Sequence, residues 1–272
     1  MGNRQSRPWI VSDELWSLIE PLLPVPGPKL VEGRPRVPDR QALCGILFVL
    51  HTGIQWEYLP QEPGFGSGMT CWRRLAAWNE AGVWGDLHLV LLKKLRAAKK
   101  LDLSRAVIDS SHVRAARKGP QSGPSPVDRA RPGSKHHVII DAQGIPLAVS
   151  LTGGNRDDVT QLLPLVDKIP SVAGTVGRPR RPLDALLADR GYDHDKYRHL
   201  LWARGIRPLI AERGPPHGTG LGIFRYVVER TTAWPHAFRR LHIRWERRDD
   251  IHEAFLGLAT CLITYRHMQR LC

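Results

Sequence analysis

Arg105-Ala106-Val107-Ile108-Asp109 marks the point at which the periodicity of the chain changes. Before this stretch apolar residues recur at helical spacing, and after it β-branched residues occur in short runs separated by turn residues. Such runs at residues 106–108, 135–140 and 146–151 predict three strands, and residues 141–144 predict the hairpin loop between the second and the third. We therefore expect an antiparallel meander that begins at residue 106.

Helical and extended signals alternate after the meander. The sequence predicts a helix capped by Asp157 or Asp158, a strand at residues 183–188, a helix at 194–204, a strand at 206–210 and a last helical region that opens at Phe224. Three strands followed by alternating helices and strands predict a mixed α/β fold. Its sheet should have an antiparallel part and a parallel part.

The chain before Arg105 reads as helical from residue 12 to residue 100. Ser12 caps a predicted helix that Pro24 ends, and Asp39 opens another with an almost wholly apolar run at residues 42–50. Several short helices with tight turns favour a helix-turn-helix-like DNA-binding domain, although any small helical bundle gives the same pattern. We therefore divide the chain into a helical DNA-binding domain at residues 1–101 and an α/β domain at residues 102–272.

Composition excludes several classes of protein. Hydrophobic residues make up 42% of the chain, but no stretch approaches the roughly 18 apolar residues of a membrane helix. The N-terminus has charged residues around a short apolar patch, unlike a secretion signal. Cys44, Cys71, Cys261 and Cys272 are scattered without metal-ligand spacing, so reduced thiols are expected. We expect a cytoplasmic protein with no membrane partner.

The charge points to a polyanionic partner, because the formal net charge is +14. Residues 105–272 carry 27 Lys and Arg against 16 Asp and Glu, while residues 1–104 carry 13 against 10. A basic run can be only a solvated face, but two such runs flank the acids considered next. We predict double-stranded DNA as the partner, contacted by Arg34, Arg36, Arg114, Arg117, Lys118, Arg239, Arg240 and Arg244.

Three acids form the candidate catalytic site. Asp109 and Asp189 each follow an apolar run that reads as a strand, and Glu229 lies in the last helical region. Either aspartate alone could begin an ordinary turn, and Glu229 could pair with Arg225 on a helix surface. If the three converge, their oxygens suit Mg²⁺ or Mn²⁺. Two such ions would support an in-line displacement at a phosphodiester, with Asp109 as the bridging ligand.

The motifs around these residues resemble the DDE transposases of bacterial insertion sequences, in the insertion-sequence-five group. The second half shows Asp109-Ser110-Ser111-His112, Asp189-Arg190-Gly191-Tyr192 and Val228-Glu229-Arg230-Thr231. The first half shows Gly33-Arg34-Pro35 and Thr52-Gly53-Ile54-Gln55-Trp56. The resemblance covers nearly the whole chain.

The resemblance implies a ribonuclease-H-like catalytic domain whose metal ligands are Asp109, Asp189 and Glu229. It also implies that the protein binds terminal inverted repeats, cleaves DNA with Mg²⁺ and transfers a freed 3′-hydroxyl to a target, with the protein oligomeric on DNA. The group places a Tyr seven residues before the Glu, an Arg four before it and a Lys seven after it. This chain has Gly222, Arg225 and His236 there, so the resemblance implies DNA contacts by Arg225 and, as a weaker donor than the Lys, by His236. Pro235 should kink or end that helix.

Two other functions fit parts of the pattern. A DNA-binding relic of a transposase would keep the fold without transposition, as Pro235 and the missing Tyr and Lys suggest. A ribonuclease or junction-cleaving nuclease could use the same catalytic fold, but it has less need of the helical first half. The three acids favour an active transposase.

Overall fold

The computed structural model describes residues 7–27, 35–172, 183–212 and 237–272. Four helices precede the sheet: α1 (Asp13–Ile19), α2 (Asp39–Thr52), α3 (Gly68–Glu80) and α4 (Val83–Ala97). Ser12 caps α1 by accepting a hydrogen bond from the Leu15 amide at 3.2 Å. The helix is shorter than predicted because a 3₁₀ turn containing Pro21 follows it. The predicted apolar run in α2 is buried as expected.

In the described ranges the sheet contains seven strands. They are β1 (Ala106–Ala115), β2 (Gly123–Pro124), β3 (Pro132–Asp141), β4 (Pro146–Gly153), β5 (Ala185–Ala188), β6 (Arg207–Ile210) and β7 (Ile243–Arg244). β3 pairs antiparallel with β1, β2 and β4, whereas β5 pairs parallel with β1 and β6. β7 extends the far end of β1. The resulting order of the main strands, β4-β3-β1-β5-β6, confirms the predicted mixed sheet and its ribonuclease-H-like fold.

β1 is longer than its apolar residues predicted. Its pairing with β3 runs from Ala106 opposite Asp141 to Arg114 opposite Gly133, so Asp109 lies within the strand opposite Val138. Polar residues after Asp109 carry little strand signal of their own. Cross-strand pairing with a long neighbour overrides that local preference.

Both faces of the sheet are apolar near its centre. One face carries Ile108, Ile139 and Leu186 and packs with residues of α5 (Leu162–Lys168) and α6 (Asp195–Trp202). The other carries a smaller cluster of Val107, Val138, Ile140 and Leu187. Because β1 and β5 contribute to both faces, they are the central strands that position residues at their ends.

A long C-terminal helix, α7 (Asp249–Leu271), returns to the N-terminal helices. Phe255 stacks on Trp56 with ring centroids 5.6 Å apart, and the Cys261 thiol donates to the Trp84 carbonyl at 3.1 Å. The apolar residues of α7 and of the N-terminal helices form one core cluster. The domain boundary at residues 101 and 102 stays a prediction, but the helical layer draws on both ends of the chain. No helix in the described ranges is long and apolar enough to cross a membrane.

Candidate active site

Parallel pairing of β1 with β5 brings Asp109 and Asp189 together. Ala106 lies opposite Leu186 and Val107 opposite Leu187. The same register, continued two residues further, places Asp189 opposite Asp109. Neighbouring strands lie about 4.8 Å apart, so two carboxylates at this position face the same small volume.

The two aspartates differ in their surroundings. Burial raises the pKa of Asp109 to about 6, and the charges of Asp189 and Asp158 add to the rise. The Ser110 amide, which donates to Asp109 Oδ1 at 2.8 Å, offsets part of it. Asp189 is exposed and accepts a hydrogen bond from the Gly191 amide at 2.9 Å as it caps a 3₁₀ turn. A cation beside Asp109 would thus favour its ionised form, while Asp189 is open to solvent.

A third acid, Asp158, faces the same region. It begins the 3₁₀ turn Asp158–Gln161 that precedes α5, and its Oδ1 atom lies 2.9 Å from Lys135 Nζ. Lys135 is only 5% exposed and also donates to the Arg156 carbonyl at 2.7 Å. His137 Nδ1 is 3.9 Å from the same Asp158 oxygen.

From the sequence, Asp158 was expected only as a helix cap, and Lys135 was not singled out. A signal was present, because Lys135 and His137 alternate on one face of β3 at positions that read as a buried strand. The sequence suggests that Arg190, which follows Asp189, and Arg225, four residues before Glu229, offset the repulsion between the acids. The buried ammonium group of Lys135 is a cation that only the fold places near them.

Tyr192 completes the cluster from the turn that follows Asp189. The side chain is buried, and its hydroxyl lies beside Ser110. Burial raises the pKa of this phenol, and the charges of Asp158, Asp109 and Asp189 raise it further. The phenol therefore stays protonated and can donate a hydrogen bond within an acidic site.

The two aspartates fit part of a divalent-metal site. Their carboxylate oxygens are the hard ligands that such ions prefer, and one of them is accessible. Within the described ranges no group of three His, Cys, Asp or Glu residues could hold a metal ion. The predicted third ligand, Glu229, lies outside the described residues, as do Arg34, Arg225, Pro235 and His236.

Five of the predicted DNA contacts are exposed. Arg36 is exposed but forms an ion pair with Asp39 at 3.1 Å. The other four are Arg114, Arg117, Lys118 and Arg239. Their side chains are positioned to reach a ligand without rearrangement of the core.

Arg240 and Arg244 are buried, in contrast to the sequence-based prediction. Arg240 is 4% exposed, pairs with Glu246 and donates to the Ile54 carbonyl at 2.7 Å. Arg244 is 0% exposed and donates to three backbone carbonyls and to Ser134 Oγ. A phosphate cannot reach a guanidinium whose donors are used inside the protein. The prediction that these two residues contact DNA was therefore wrong.

The Arg240 pair belongs to a longer buried polar chain. Glu246 Oε2 lies 3.6 Å from His252 Nδ1, and His252 Nε2 lies 2.8 Å from His136 Nε2 on β3. Burial lowers the pKa of both histidines, so both are neutral at physiological pH. This series of buried side chains links the end of α2 to the central sheet.

Two families match the chain in succession. Residues 11–88 match the family described as "Putative transposase of IS4/5 family", and residues 100–218 match the family described as "Transposase DDE domain". The second match contains Asp109 and Asp189 and the strands that hold them.

Individual relatives agree with these families. A putative transposase for insertion sequence element IS402 of Burkholderia cepacia is 58% identical over 151 residues, which are 56% of this chain and 72% of the relative. An uncharacterized 16.2 kDa protein of the same insertion element is 56% identical over 119 residues, which are 43% of this chain and 81% of that protein. A crystal structure of the Mos1 strand transfer complex aligns with 90% of this chain and 78% of its own, with 12% identity and a TM-score of 0.36. The resemblance read from the motifs is confirmed, and the chain belongs to the IS4/IS5 family of DDE transposases.

Proposed function

We propose that Asp109, Asp189 and Glu229 are the metal ligands of this transposase and that the metal is Mg²⁺, bound as two ions, with Mn²⁺ able to replace it. The observation that carries the proposal is the register of β1 and β5, which, continued by two residues, sets Asp189 just after β5 opposite Asp109 within β1. A second support is the raised pKa of Asp109, since a nearby cation would relieve its cost of ionisation.

Bound divalent ions would activate the attacking oxygen and stabilise the leaving oxygen of a phosphodiester. The chain itself holds and orients the carboxylates. The Ser110 amide fixes Asp109, the Gly191 amide fixes Asp189, and Lys135 holds Asp158 at the edge of the site. Rigid positioning of this kind is what a displacement at phosphorus requires.

We propose that the substrates are duplex DNA ends with terminal inverted repeats and a target duplex. The 3′-hydroxyl freed by cleavage then attacks the target strand. The helical residues before 102 would read the repeat sequence, and the protein would act as a homo-oligomer on DNA within the cytoplasm and nucleoid. The bulk of the basic charge after residue 105 supports backbone contacts in that half.

A strand-transfer assay tests this function. Labelled duplexes that carry the inverted repeats flanking the gene are incubated with a plasmid target and either Mg²⁺ or Mn²⁺. Joined products with the wild-type chain are expected. Sequence-specific binding of the repeats without cleavage or joining under either metal would instead identify a DNA-binding relic.

Glu229→Gln tests the ligand that lies outside the described residues. An amide keeps the size of the side chain but loses its charge, so we expect cleavage to fall at least about 100-fold, because even indirect partners of metal ligands are worth 10- to 100-fold. Glu80→Gln is the matched control, since Glu80 is an exposed glutamate at the end of α3, in the helical layer and outside the sheet. Cleavage by Glu229→Gln at the rate of Glu80→Gln would remove Glu229 from the ligand set.

The affinity for DNA is expected to depend steeply on salt. Each phosphate that an exposed Lys or Arg neutralises contributes about −0.9 to the slope of log affinity against log salt concentration. If Arg114, Arg117, Lys118 and Arg239 each make one contact, they account for roughly −3.6 of the slope. Fluorescence anisotropy with a labelled duplex between about 50 and 200 mM salt measures it. An affinity that does not change with salt would contradict backbone contacts by these residues.

A further inference from the structure

The connection between β1 and β3, residues 116–131, forms a loop that contains the short strand β2. We call it the basic loop. It carries one acid, Asp128, and four cationic residues. The exposed cations are Arg117, Lys118, Arg129 and Arg131. The last two were not among the predicted DNA contacts.

The backbone of the basic loop is strained. Five non-glycine residues have a positive φ in the described ranges, and four of them lie in this loop: Lys118 at 54°, Gln121 at 50°, Arg129 at 47° and Ala130 at 57°. Residues with a side chain adopt this conformation at a cost that glycine avoids. Such strain persists only where the surrounding structure enforces it, and it concentrates at functional sites.

Arg244 anchors the first half of the basic loop from inside the protein. Its Nη1 atom donates to the Gln121 carbonyl at 2.9 Å and to Ser134 Oγ at 3.0 Å. Ser134 Oγ in turn donates to the same Gln121 carbonyl at 2.6 Å. The strained Gln121 is thus held by two buried donors, one from β3 and one from β7.

Ser125 anchors the second half. Its amide donates to the Arg131 carbonyl at 2.9 Å, and its carbonyl accepts from the Ala130 amide at 3.0 Å. Its hydroxyl lies 3.3 Å from Nδ1 of His112, which is on β1 three residues after Asp109. The basic loop is therefore fixed to the strand that carries Asp109.

We infer that the basic loop is a preformed surface for the phosphate backbone of duplex DNA that flanks the cleaved bond. This inference rests on the proposed function. Lys118 and Arg129 carry their cationic side chains on a backbone that the anchored loop holds in the left-handed region, so these charges are positioned before a ligand binds. A surface ordered before binding loses little entropy when it meets its ligand.

The position of the loop agrees with this role. β1 runs five residues from Asp109 to Arg114, which is roughly 17 Å for an extended strand. That length is about half a helical turn of duplex DNA. A duplex bound at the aspartates with its axis along β1 would therefore present phosphates about half a turn away near the start of the basic loop.

Glycine substitutions separate binding from folding. Lys118→Gly and Arg129→Gly each remove one cation and relieve one strained φ, so the melting temperature should stay the same or rise slightly. At about 100 mM salt, affinity for a duplex of about 30 base pairs should fall about eightfold for each variant, with the salt slope reduced by about 0.9, which is the value of one phosphate contact. Anisotropy in metal-free buffer and thermal unfolding provide the two readouts.

Lys99→Gly is the matched control. Lys99 is an exposed lysine with a φ of 57° after α4, outside the basic loop, so its substitution removes the same charge and the same strain. Its affinity should stay within twofold of wild type. Equal affinities for the three variants would overturn the inference, and so would a loss of affinity accompanied by a loss of thermal stability. A wild-type chain that does not bind duplex DNA would overturn the proposed function as well.

Discussion

Asp109→Asn is expected to abolish DNA cleavage and, in the absence of metal, to make the protein more stable. Asp109 is partly buried near two other acids, and its pKa is raised to about 6. The ionised carboxylate therefore costs free energy in the folded state, of order 3 kcal/mol above that pH. The amide removes this cost but cannot supply the charge that a bridging metal ligand requires.

The gain in stability should depend on pH with a definite sign. The pKa of Asp109 is higher in the folded than in the unfolded state, so the wild-type protein bears the full cost above pH 6 and none below 3.8, the ordinary value for an aspartate. The melting temperature of Asp109→Asn should exceed that of wild type by roughly 6 °C at about pH 8 in chelator. The difference should shrink toward zero as the pH falls to about 4.

Asp189→Asn is the comparison for this prediction. Asp189 is also a proposed metal ligand, so its substitution should abolish cleavage. Because its side chain is exposed, the melting temperature should change little. If Asp109→Asn retained metal-dependent nicking, the catalytic assignment would be lost. If instead it lowered the melting temperature under alkaline conditions, the carboxylate would be stabilised by contacts that the structure does not contain.

Arg240→Gln is expected to destabilise the protein strongly. Its guanidinium forms a buried ion pair with Glu246 and donates to the Ile54 carbonyl. Removal of one partner of such a pair leaves a buried charge without compensation and costs about 3 to 5 kcal/mol. A fall in melting temperature of roughly 10 °C follows for a chain of this size. Thermal unfolding followed by circular dichroism measures it.

The neighbouring residue provides the control. Arg239 is exposed, so Arg239→Gln should leave the melting temperature within about 1 °C of wild type, as most surface substitutions do. It should reduce the salt slope of DNA binding by about 0.9. The reverse pattern, a stable Arg240→Gln with a reduced salt slope, would show that Arg240 reaches the DNA and that its buried position is wrong.

Local patterns in the chain were enough to predict the fold class and two of the candidate site residues. The change of period at residue 105 and the apolar runs before Asp109 and Asp189 are signals of this kind, and they identify strands directly. The family resemblance rests on short motifs that are equally local. Glu229 stays a prediction, because its reading as a metal ligand depends on where its helical region lies relative to the sheet.

Only the tertiary fold determines which charged side chains are buried. Arg239 and Arg240 are adjacent in one basic run, yet one is exposed and the other pairs with Glu246 against the end of α2. Lys135 and Asp158 are 23 residues apart, and nothing in either segment indicates their contact. Burial and pairing depend on segments that are distant in sequence, whereas periodicity and spacing record only the near neighbours of each residue.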